Sequence, residues 1–329
     1  MKAWLIDDVR GIEGLRIGNM TDPLPEPGEV VLEVRYAALN PADRYLAEGQ
    51  YPAKPPMPHI LGRDGVGTVV DVGDDVTAVN RGEERLILRS EIGVSRPGTF
   101  AQRVAVPVES LVSVPNGWTD EQAAAGPLVY LTAYQALTQW GPLAASVVLV
   151  TGASGGVGVA SVHLARALGH TVIALSRSEE KREHLERLGA DHTVDPTDPQ
   201  WRQAVKKLTN GRRVDLAIDN IGGSLLPQVI DTLGEHGKVS CVGRLAGPVP
   251  QFNTASLFFR RLRLGGVAVG AYTPRESREA WSKVLDLLAR TGAKPLVDRV
   301  FPFEQLSAAF EHLKAGPMGK VLLDVRGRG

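Results

Sequence analysis

Residues 147–159 read Val-Val-Leu-Val-Thr-Gly-Ala-Ser-Gly-Gly-Val-Gly-Val, and the interpretation of the whole chain starts from this stretch. Its first four residues are apolar and predict a buried strand of a parallel sheet. Glycines then follow at positions 152, 155 and 158, before a helical pattern that continues to about residue 168. Glycines alone can form any tight turn, but a strand before them and a helix after them favour a dinucleotide-binding site.

The chemistry of such a site requires glycines in the turn. A pyrophosphate has to approach bare backbone N–H groups at the N-terminus of a helix, where the helix dipole favours an anion. A Cβ atom in the turn would block that approach, and Gly158 lets the helix lie close to the strand. We therefore expect cofactor contacts from Gly152, Ser154, Gly155, Gly156 and Val157.

Composition and charge restrict the class of protein. The chain has 329 residues, of which 43% are hydrophobic and 22% charged, as expected for a globular enzyme of two domains. Lys and Arg together number 37, and Asp and Glu together also number 37. This balance gives no electrostatic reason to expect nucleic acid or an anionic membrane as a partner.

Two further features bear on location. The sequence contains one cysteine, Cys241, so no internal disulfide can form. The N-terminal residues lack the apolar segment of a signal peptide, and no apolar run is long enough to span a bilayer. We expect a cytoplasmic protein without a membrane partner.

The order of predicted elements changes along the chain. Residues 1–120 contain short apolar runs separated by Pro- and Gly-rich turns, which is typical of antiparallel β structure. Residues 121–270 alternate strands with helices, which favours a doubly wound parallel sheet whose last strand covers 262–269. Two amphipathic helices and a strand follow in residues 271–329. We predict a nucleotide-binding domain inserted between the two parts of a β-rich domain.

Several motifs together carry a resemblance to a known family. Besides the glycine-rich turn, they are Asn40-Pro41-Ala42-Asp43-Arg44-Tyr45, Gly62-Arg63-Asp64-Gly65-Val66-Gly67, Leu188-Gly189-Ala190-Asp191 and Gly319-Lys320-Val321-Leu322. With these motifs the chain resembles, over essentially its whole length, the zinc-free quinone oxidoreductase (ζ-crystallin-like) branch of the medium-chain dehydrogenase/reductase superfamily. The resemblance implies an α/β fold in which a GroES-like catalytic domain holds an inserted Rossmann domain. It also implies a homodimer through the edge of the Rossmann sheet, where an exposed strand tends to find a partner.

The positions that hold zinc in related alcohol dehydrogenases are occupied by other residues here. Those enzymes have Gly-His-Glu where this chain has Gly62-Arg63-Asp64, and a cysteine ligand within the segment that is Pro41-Ala42-Asp43 here. Arginine stays protonated and cannot ligate a metal. A structural zinc site of four thiolates cannot be built from one cysteine, and His59 lacks partners at metal-like spacing. We expect catalysis without a metal.

The choice of nicotinamide cofactor depends on the end of the second Rossmann strand. NAD-binding domains usually carry an acid there, which binds the ribose 2′-OH. Here Ser176 and Arg177 stand at that place, with Lys181 one turn into the next helix, and these donors suit a 2′-phosphate. Alternatively, Ser178 only caps the helix and Arg177 is a solvated surface residue. The missing acid favours NADPH.

Candidate catalytic groups come from the β-rich domain. Without a metal, hydride transfer needs a hydrogen-bond donor for the charge that develops on the substrate oxygen. The resemblance places Tyr45 and Tyr51 beside the nicotinamide and Asn40 near its ribose. A purely structural reading stays open for each, because Asn40 can act as a helix cap and both tyrosines can serve in packing.

The resemblance also implies further cofactor contacts. Asn220 and Gly243 follow strands of the predicted parallel sheet, at the carboxyl ends where such sheets bind ligands. Thr132 lies in the helix before the first strand of that sheet and should face the nicotinamide side. Val267 and Val269 lie in the last predicted strand and should flank the nicotinamide.

The residues and the resemblance together lead to one functional hypothesis. We expect an NADPH-dependent oxidoreductase that transfers hydride to a quinone or to an activated C=C bond such as an enone. The alternatives are an enoyl-thioester reductase and a non-catalytic NADPH-binding protein. A zinc alcohol dehydrogenase is opposed by Arg63 and by the single cysteine.

Overall fold

The structure is a computed structural model that describes residues 1–88, 91–247 and 252–327. The chain divides into two compact units. The first unit comprises Met1–Leu128, Gly270–Glu279 and Lys294–Gly329, and the second comprises Val129–Val269 and Ala280–Ala293. The predicted domain limits differ from this division mainly at residues 121–128, which group with the first unit, and at 280–293, which group with the second.

The elements alternate as follows. The strands are β1 (Lys2–Leu5), β2 (Arg16–Asn19), β3 (Glu29–Ala38), β4 (Asp64–Val72), β5 (Glu84–Ile87), β6 (Arg103–Pro107), β7 (Leu111–Ser113), β8 (Val147–Val150), β9 (Thr171–Leu175), β10 (His192–Val194), β11 (Val214–Asp219), β12 (Leu233–Cys241), β13 (Arg263–Gly266), β14 (Val297–Pro302) and β15 (Lys320–Asp324). The α-helices are α1 (Pro41–Ala47), α2 (Asp120–Ala125), α3 (Pro127–Thr138), α4 (Gly156–Ala167), α5 (Glu179–Leu188), α6 (Trp201–Leu208), α7 (Leu225–Thr232), α8 (Ala255–Phe259), α9 (Pro274–Thr291) and α10 (Leu306–Lys314).

The first unit is built on β3. This strand pairs antiparallel with β4, β6 and β15, and the main sheet has the order β14-β15-β3-β4-β5-β7. Most residues of β3 are buried, because the strand is apolar and lies inside the sheet. Helix α1 follows β3 at once: Pro41 occupies its first position, where the fixed φ of proline suits a helix start.

The second unit contains a parallel sheet in the order β10-β9-β8-β11-β12-β13. The chain runs outward from β8 in one direction and then returns to continue from β11 in the other. This reversal beside β8 is the topological switch point at which doubly wound sheets bind ligands. All four residues of β8 are buried, as their unbroken apolar run predicts. The α/β fold class expected from the sequence is thereby confirmed.

The last strand of this sheet is shorter than expected. The sequence predicts a strand over 262–269, whereas β13 ends at Gly266. Its partner β12 ends at Cys241, which pairs with Gly266. Strand β12 therefore has no further residue to pair with the chain after Gly266. The Gln135 side chain accepts from the Ala268 N–H (3.1 Å) instead. Val267 and Val269 therefore follow the strand rather than belong to it.

No helix within the described residues is both long enough and apolar enough to cross a bilayer.

Candidate functional site

The glycine turn, residues 152–158, joins β8 to α4 in the second unit. Gly152 has φ +56°, a left-handed conformation that disfavours side chains. A Cβ atom on Gly158 would lie 2.3 Å from the Gly152 carbonyl oxygen, so only glycine lets the helix pack this closely. The local sequence therefore builds the tight strand-to-helix connection that the motif predicts.

The same turn presents backbone to a ligand. Residues 154–157 are half-exposed, whereas Thr151, Ala153 and Gly158 on either side are buried. Helix α4 begins at Gly156 and has 12 residues, and the first N–H groups of any helix lack partners within it. These N–H groups and the helix dipole suit a pyrophosphate.

The carboxyl ends of β8 and β11 are joined by a polar network. The Thr151 hydroxyl donates to Asp219 Oδ1 (2.7 Å) and accepts from the Asn220 N–H (2.9 Å). Asn220 Nδ2 donates to the Thr151 carbonyl (2.8 Å). Asn220 is only 7% exposed, and no described residue donates to its Oδ1. An acceptor held here in a fixed direction fits a ribose hydroxyl or a carboxamide N–H of a nicotinamide dinucleotide.

Other predicted contacts of the second unit lie after β12, after β13 and on α3. Gly243 follows β12, and its Cβ would lie 2.6 Å from the Asn220 carbonyl oxygen, so the two loops approach closely. Thr132 lies on α3, three residues before Gln135, whose side chain holds the Ala268 N–H between Val267 and Val269. The structure thus links α3 to the segment after β13, a contact that the sequence pattern did not reveal.

The end of β9 carries the residues expected to choose the cofactor. Ser176 is buried, Arg177 is exposed and Lys181 is half-buried. The Ser178 hydroxyl accepts from the Lys181 N–H (3.4 Å), so this serine is the helix cap that the sequence also allowed.

A further arginine, Arg182, was missed by the sequence reasoning. Its Nη1 donates to the carbonyls of Ser176 (2.9 Å) and Arg177 (3.1 Å), and it lies 3.4 Å from Asp195 Oδ2. The pKa of Asp195 is lowered, chiefly because the Thr197 hydroxyl donates to it and also because of the charges of Arg182 and Arg177. An acid therefore stands after the neighbouring strand β10, and it is already paired with Arg182.

In the first unit, Asn40 lies within a buried group of ionic side chains. Its Nδ2 donates to Asp64 Oδ2 (2.9 Å), and its Oδ1 accepts from Lys320 Nζ (2.6 Å). Lys320 Nζ also donates to the Leu39 carbonyl (2.9 Å) and lies 3.3 Å from Asp64 Oδ2. These contacts use both ends of the Asn40 amide, so its role near a cofactor would be to orient rather than to bind through free atoms.

Asp43 and Arg63 extend this group toward Tyr51. Asp43 is fully buried; its Oδ2 accepts from the Asn40 N–H (2.8 Å), and its Oδ1 lies 3.8 Å from Arg63 Nε. Burial raises the pKa of Asp43 to about 6, although the charge of Arg63, the Asn40 N–H and Lys320 act to lower it. Arg63 Nη1 donates to the Tyr51 hydroxyl (3.1 Å). We call Asn40, Asp43, Arg63, Asp64 and Lys320 the charged cluster.

Tyr45, the third candidate catalytic residue, lies on α1. Its ring is half-buried, and the guanidinium carbon of Arg44 lies 5.3 Å from the ring centroid. Arg44 in turn pairs with Glu48 (3.2 Å). The structure brings Asn40 and Tyr51 together through Asp43 and Arg63.

A buried tyrosine–histidine pair lies between α3 and α4. The Tyr130 hydroxyl is 2.8 Å from His163 Nδ1. Burial raises the pKa of Tyr130 and lowers that of His163 to about 4. The histidine is therefore neutral at physiological pH, and its tautomer decides which of the two groups donates in this hydrogen bond.

Across the described ranges, no three His, Cys, Asp or Glu side chains are grouped so that they could hold a metal ion. Cys241 is half-buried at the end of β12, and burial raises the pKa of its thiol.

Two family models match the chain. The model described as "Alcohol dehydrogenase GroES-like domain" matches residues 26–116, and the model described as "Zinc-binding dehydrogenase" matches residues 156–290. A zinc-type alcohol dehydrogenase-like protein of Schizosaccharomyces pombe is 31% identical, with 97% of each chain covered. Human quinone oxidoreductase is 26% identical, with 98% of this chain and 97% of that protein covered.

Solved structures share the fold along nearly the whole chain. An NAD-dependent alcohol dehydrogenase superposes with a TM-score of 0.90 at 30% identity, covering 99% of this chain and all of that one. A mycobacterial protein complexed with NADPH superposes with a TM-score of 0.88 at 26% identity, covering 98% of this chain and 99% of that one. The glycine turn and the Asn220 acceptor fit the nicotinamide dinucleotide that these proteins bind. The chain therefore belongs to the medium-chain dehydrogenase/reductase superfamily of oxidoreductases, among its quinone oxidoreductase-like proteins.

Proposed function

We propose that the protein is an NADPH-dependent reductase of quinones or of activated C=C bonds, and that it works without a metal. The observation that carries this proposal is the polar end of the parallel sheet. There the half-exposed glycine turn and Asn220 Oδ1, to which none of the described residues donates, fit a dinucleotide. Arg177 and Lys181 stand where an NAD-binding domain usually has an acid.

The choice of NADPH rests on side chains of this chain, because the similar structures differ in cofactor. One is named as NAD-dependent and another was solved with NADPH. Ser176 and Arg177 offer a hydroxyl and an exposed guanidinium to a 2′-phosphate. The acid that follows the neighbouring strand, Asp195, is paired with Arg182, and this cation partly neutralises its repulsion of a phosphate.

The reductase assignment follows from the charged cluster and from the relatives. Bound NADPH supplies the hydride. The chain has to supply a donor for the oxygen that gains charge, and Arg63 occupies the place of a zinc-ligating histidine, so hydroxyl and N–H groups take that role. Tyr51 is the hydroxyl tied to the cluster. The resemblance to human quinone oxidoreductase supports a quinone as the acceptor, and an enone is the alternative acceptor that we propose.

The experiment that tests the proposal measures cofactor oxidation. The purified protein is incubated with NADPH or NADH and with a quinone, an enone, an enoyl-thioester or an aldehyde. We expect oxidation of NADPH with the quinone or the enone, and slower oxidation of NADH. Reduction of the aldehyde alone would contradict the proposal, and preference for the enoyl-thioester would transfer it to that substrate class.

The same preparation tests metal independence. We expect elemental analysis to find no stoichiometric zinc and the activity to survive a chelator. One zinc per chain, with activity lost on chelation, would contradict this part of the proposal.

We also propose a homodimer formed through β13. This strand ends the sheet order of the second unit, and Phe258, Phe259 and Leu264 near it are 64%, 78% and 37% exposed. An open strand edge beside exposed aromatic side chains favours association. Light scattering at micromolar concentration should give the mass of two chains, and Leu264→Lys should shift it toward one. A monomeric wild type would contradict the proposal.

A further inference from the structure

Arg63 and Tyr51 form a close pair on the edge of the charged cluster. The guanidinium carbon lies 4.5 Å from the centroid of the Tyr51 ring, and Nη1 donates to the hydroxyl at 3.1 Å. The cation is thus both stacked on the phenol and bonded to its oxygen. Two contacts of different kinds hold the two side chains in one relative orientation.

Asp43 forms an ion pair with the Arg63 guanidinium. The guanidinium Nε lies 3.8 Å from Asp43 Oδ1, and the Arg63 side chain is only 13% exposed. Asp43 is itself anchored by the N–H of Asn40 at the start of α1. The chain of contacts therefore runs from a helix N-terminus through a buried carboxylate and a guanidinium to a phenol.

This arrangement determines where the Tyr51 proton can point. A phenol has one O–H donor, and arginine has donors only. Because the Tyr51 oxygen accepts from Arg63, its own hydrogen has to point away from the guanidinium. Tyr51 is half-buried, and this geometry leaves its hydrogen able to donate to a bound molecule.

We propose that Arg63 is a positioning residue, which turns the Tyr51 hydroxyl toward the substrate oxygen and so makes Tyr51 the proton donor of the reduction. This inference rests on the proposed function. Hydride addition to the β-carbon of an enone leaves an enolate, and the Tyr51 O–H bond breaks as its proton passes to the enolate oxygen. The resulting enol tautomerises to the saturated ketone. Arg63 stabilises the tyrosinate until water returns a proton to it.

The other cation of the charged cluster, Lys320, does not fit this role. Lys320 Nζ already contacts the Leu39 carbonyl, Asn40 and Asp64. Arg63, in contrast, has a buried Nη2 to which no hydrogen-bond acceptor is assigned in residues 1–88, 91–247 and 252–327. A purely structural Arg63, which only neutralises Asp43, would act on stability and not through Tyr51.

The kinetic test uses single and double substitutions with the enone as acceptor. Tyr51→Phe should lower kcat about 100-fold, the scale of a lost proton donor, and leave the Kd of NADPH unchanged. Arg63→Gln should lower kcat about tenfold. In the Tyr51→Phe background, Arg63→Gln should have no further effect, because Arg63 acts through the phenol. If Arg63→Gln does not fold, the double variant Arg63→Gln with Asp43→Asn, which removes both charges, takes the place of Arg63→Gln in these comparisons.

Arg35→Gln is the matched control. The Arg35 guanidinium also stacks on a tyrosine of the first unit, lying 5.6 Å from the centroid of the Tyr36 ring, and it pairs with Asp120. The substitution Arg35→Gln removes a similar cation–π contact outside the charged cluster. We expect its kcat to equal that of the wild type.

A readout independent of activity comes from ¹³C-NMR of protein labelled at tyrosine Cζ, which is sensitive to hydrogen bonding of the phenol. With six tyrosines, the Tyr51 signal is assigned by its loss in Tyr51→Phe. Arg63→Gln should move this signal, and Arg35→Gln should leave it in place.

The outcomes separate the inference from the function. If the wild type reduces the enone and Tyr51→Phe does not lower kcat, the inference is overturned and the proposed function stands. The same holds if the losses of kcat in the two single variants multiply in the double variant. An unmoved Tyr51 signal in Arg63→Gln also overturns it. A wild type that reduces neither quinones nor enones overturns the proposed function, and the catalytic role of the pair with it.

Discussion

The glycine turn and the charged cluster differ in how their polar groups are assembled. The turn consists of contiguous residues, and its polar groups are backbone atoms that need no counterion. The charged cluster draws Asn40, Asp64 and Lys320 from three distant segments, and each of its buried charges depends on another. The comparison teaches that a contiguous backbone site is visible as a sequence motif, whereas a buried ionic site depends on partners brought together by the fold.

The largest effect should come from unpairing the charged cluster. Lys320→Met removes the cation that contacts Asp64 and Asn40. The Asp64 carboxylate, which is only 1% exposed, then lacks this cation. Breaking a buried pair in this way destabilises by about 3–5 kcal/mol. Urea unfolding should show this loss.

Two variants show whether that effect is specific to the cluster. Lys314→Met removes a lysine that is 63% exposed, and should change the free energy of unfolding little. Lys320→Met with Asp64→Asn should recover part of the loss. Equal effects of Lys320→Met and Lys314→Met would show that the cluster contributes no more than a surface pair.

The pH dependence of stability should have opposite signs in the two units. His163 titrates near 6.5 when unfolded and about 4 when folded, so its protonation favours unfolding as the pH falls from 6.5 to 4. Asp43 titrates near 3.8 when unfolded and about 6 when folded, so its stabilising contribution is present below 3.8 and lost as the pH rises through 6. At about 1.4 kcal/mol per pKa unit, the shift of each group changes the free energy of unfolding by roughly 3 kcal/mol over its pH range.

Single substitutions expose each contribution. In Asp43→Asn the free energy of unfolding should rise more steeply with pH between 4 and 6.5 than in the wild type, because the opposing group is gone. In His163→Gln it should fall over the same range. The measurement is urea unfolding at closely spaced pH values, and identical profiles for the two variants would contradict the assignment.

Within the glycine turn, two glycines should respond differently to alanine. A Cβ on Gly158 meets backbone of residues 152 and 153, so Gly158→Ala should lower the free energy of unfolding by about 1–3 kcal/mol. A Cβ on Gly155 has its nearest contact at 3.6 Å, and Gly155→Ala should change stability by less than about 1 kcal/mol.

Gly155→Ala should instead weaken NADPH binding about tenfold, roughly 1.4 kcal/mol, because the new methyl group stands in the half-exposed turn. Thermal unfolding and isothermal titration of both variants separate packing from ligand approach. Unchanged NADPH affinity in Gly155→Ala would place the pyrophosphate elsewhere.

The smallest effect concerns the cofactor 2′-phosphate. Arg177→Ala should weaken NADPH about tenfold and NADH little, since an exposed charge-assisted hydrogen bond lies at the lower end of roughly 1.5–3 kcal/mol. Arg187→Ala, on the exposed part of α5, is the control and should affect neither cofactor. Equal weakening of both cofactors by Arg177→Ala would make Arg177 a general electrostatic residue.

The sequence reasoning succeeded where contacts are local. The strand β8, helix α4 and the sheet built around them were predicted from apolar runs and glycine spacing, and the fold class and the family are confirmed. The length of the last strand was wrong, because its end depends on β12 and Gln135, which are distant in sequence. The roles of Asn40, Tyr45 and Tyr51, and of the predicted cofactor contacts, remain predictions.

The sequence alone predicted the parallel sheet and the dinucleotide motif, because both follow from residues that are adjacent in the chain. The prediction that Arg63 stands in place of a zinc-ligating histidine rests on the family resemblance. Three contacts could be seen only in the folded chain: Lys320 binds Asn40, Arg182 pairs with Asp195, and Arg63 bonds to Tyr51. Ionic contacts of this kind depend on distance and burial, and both are set only when separate segments pack together.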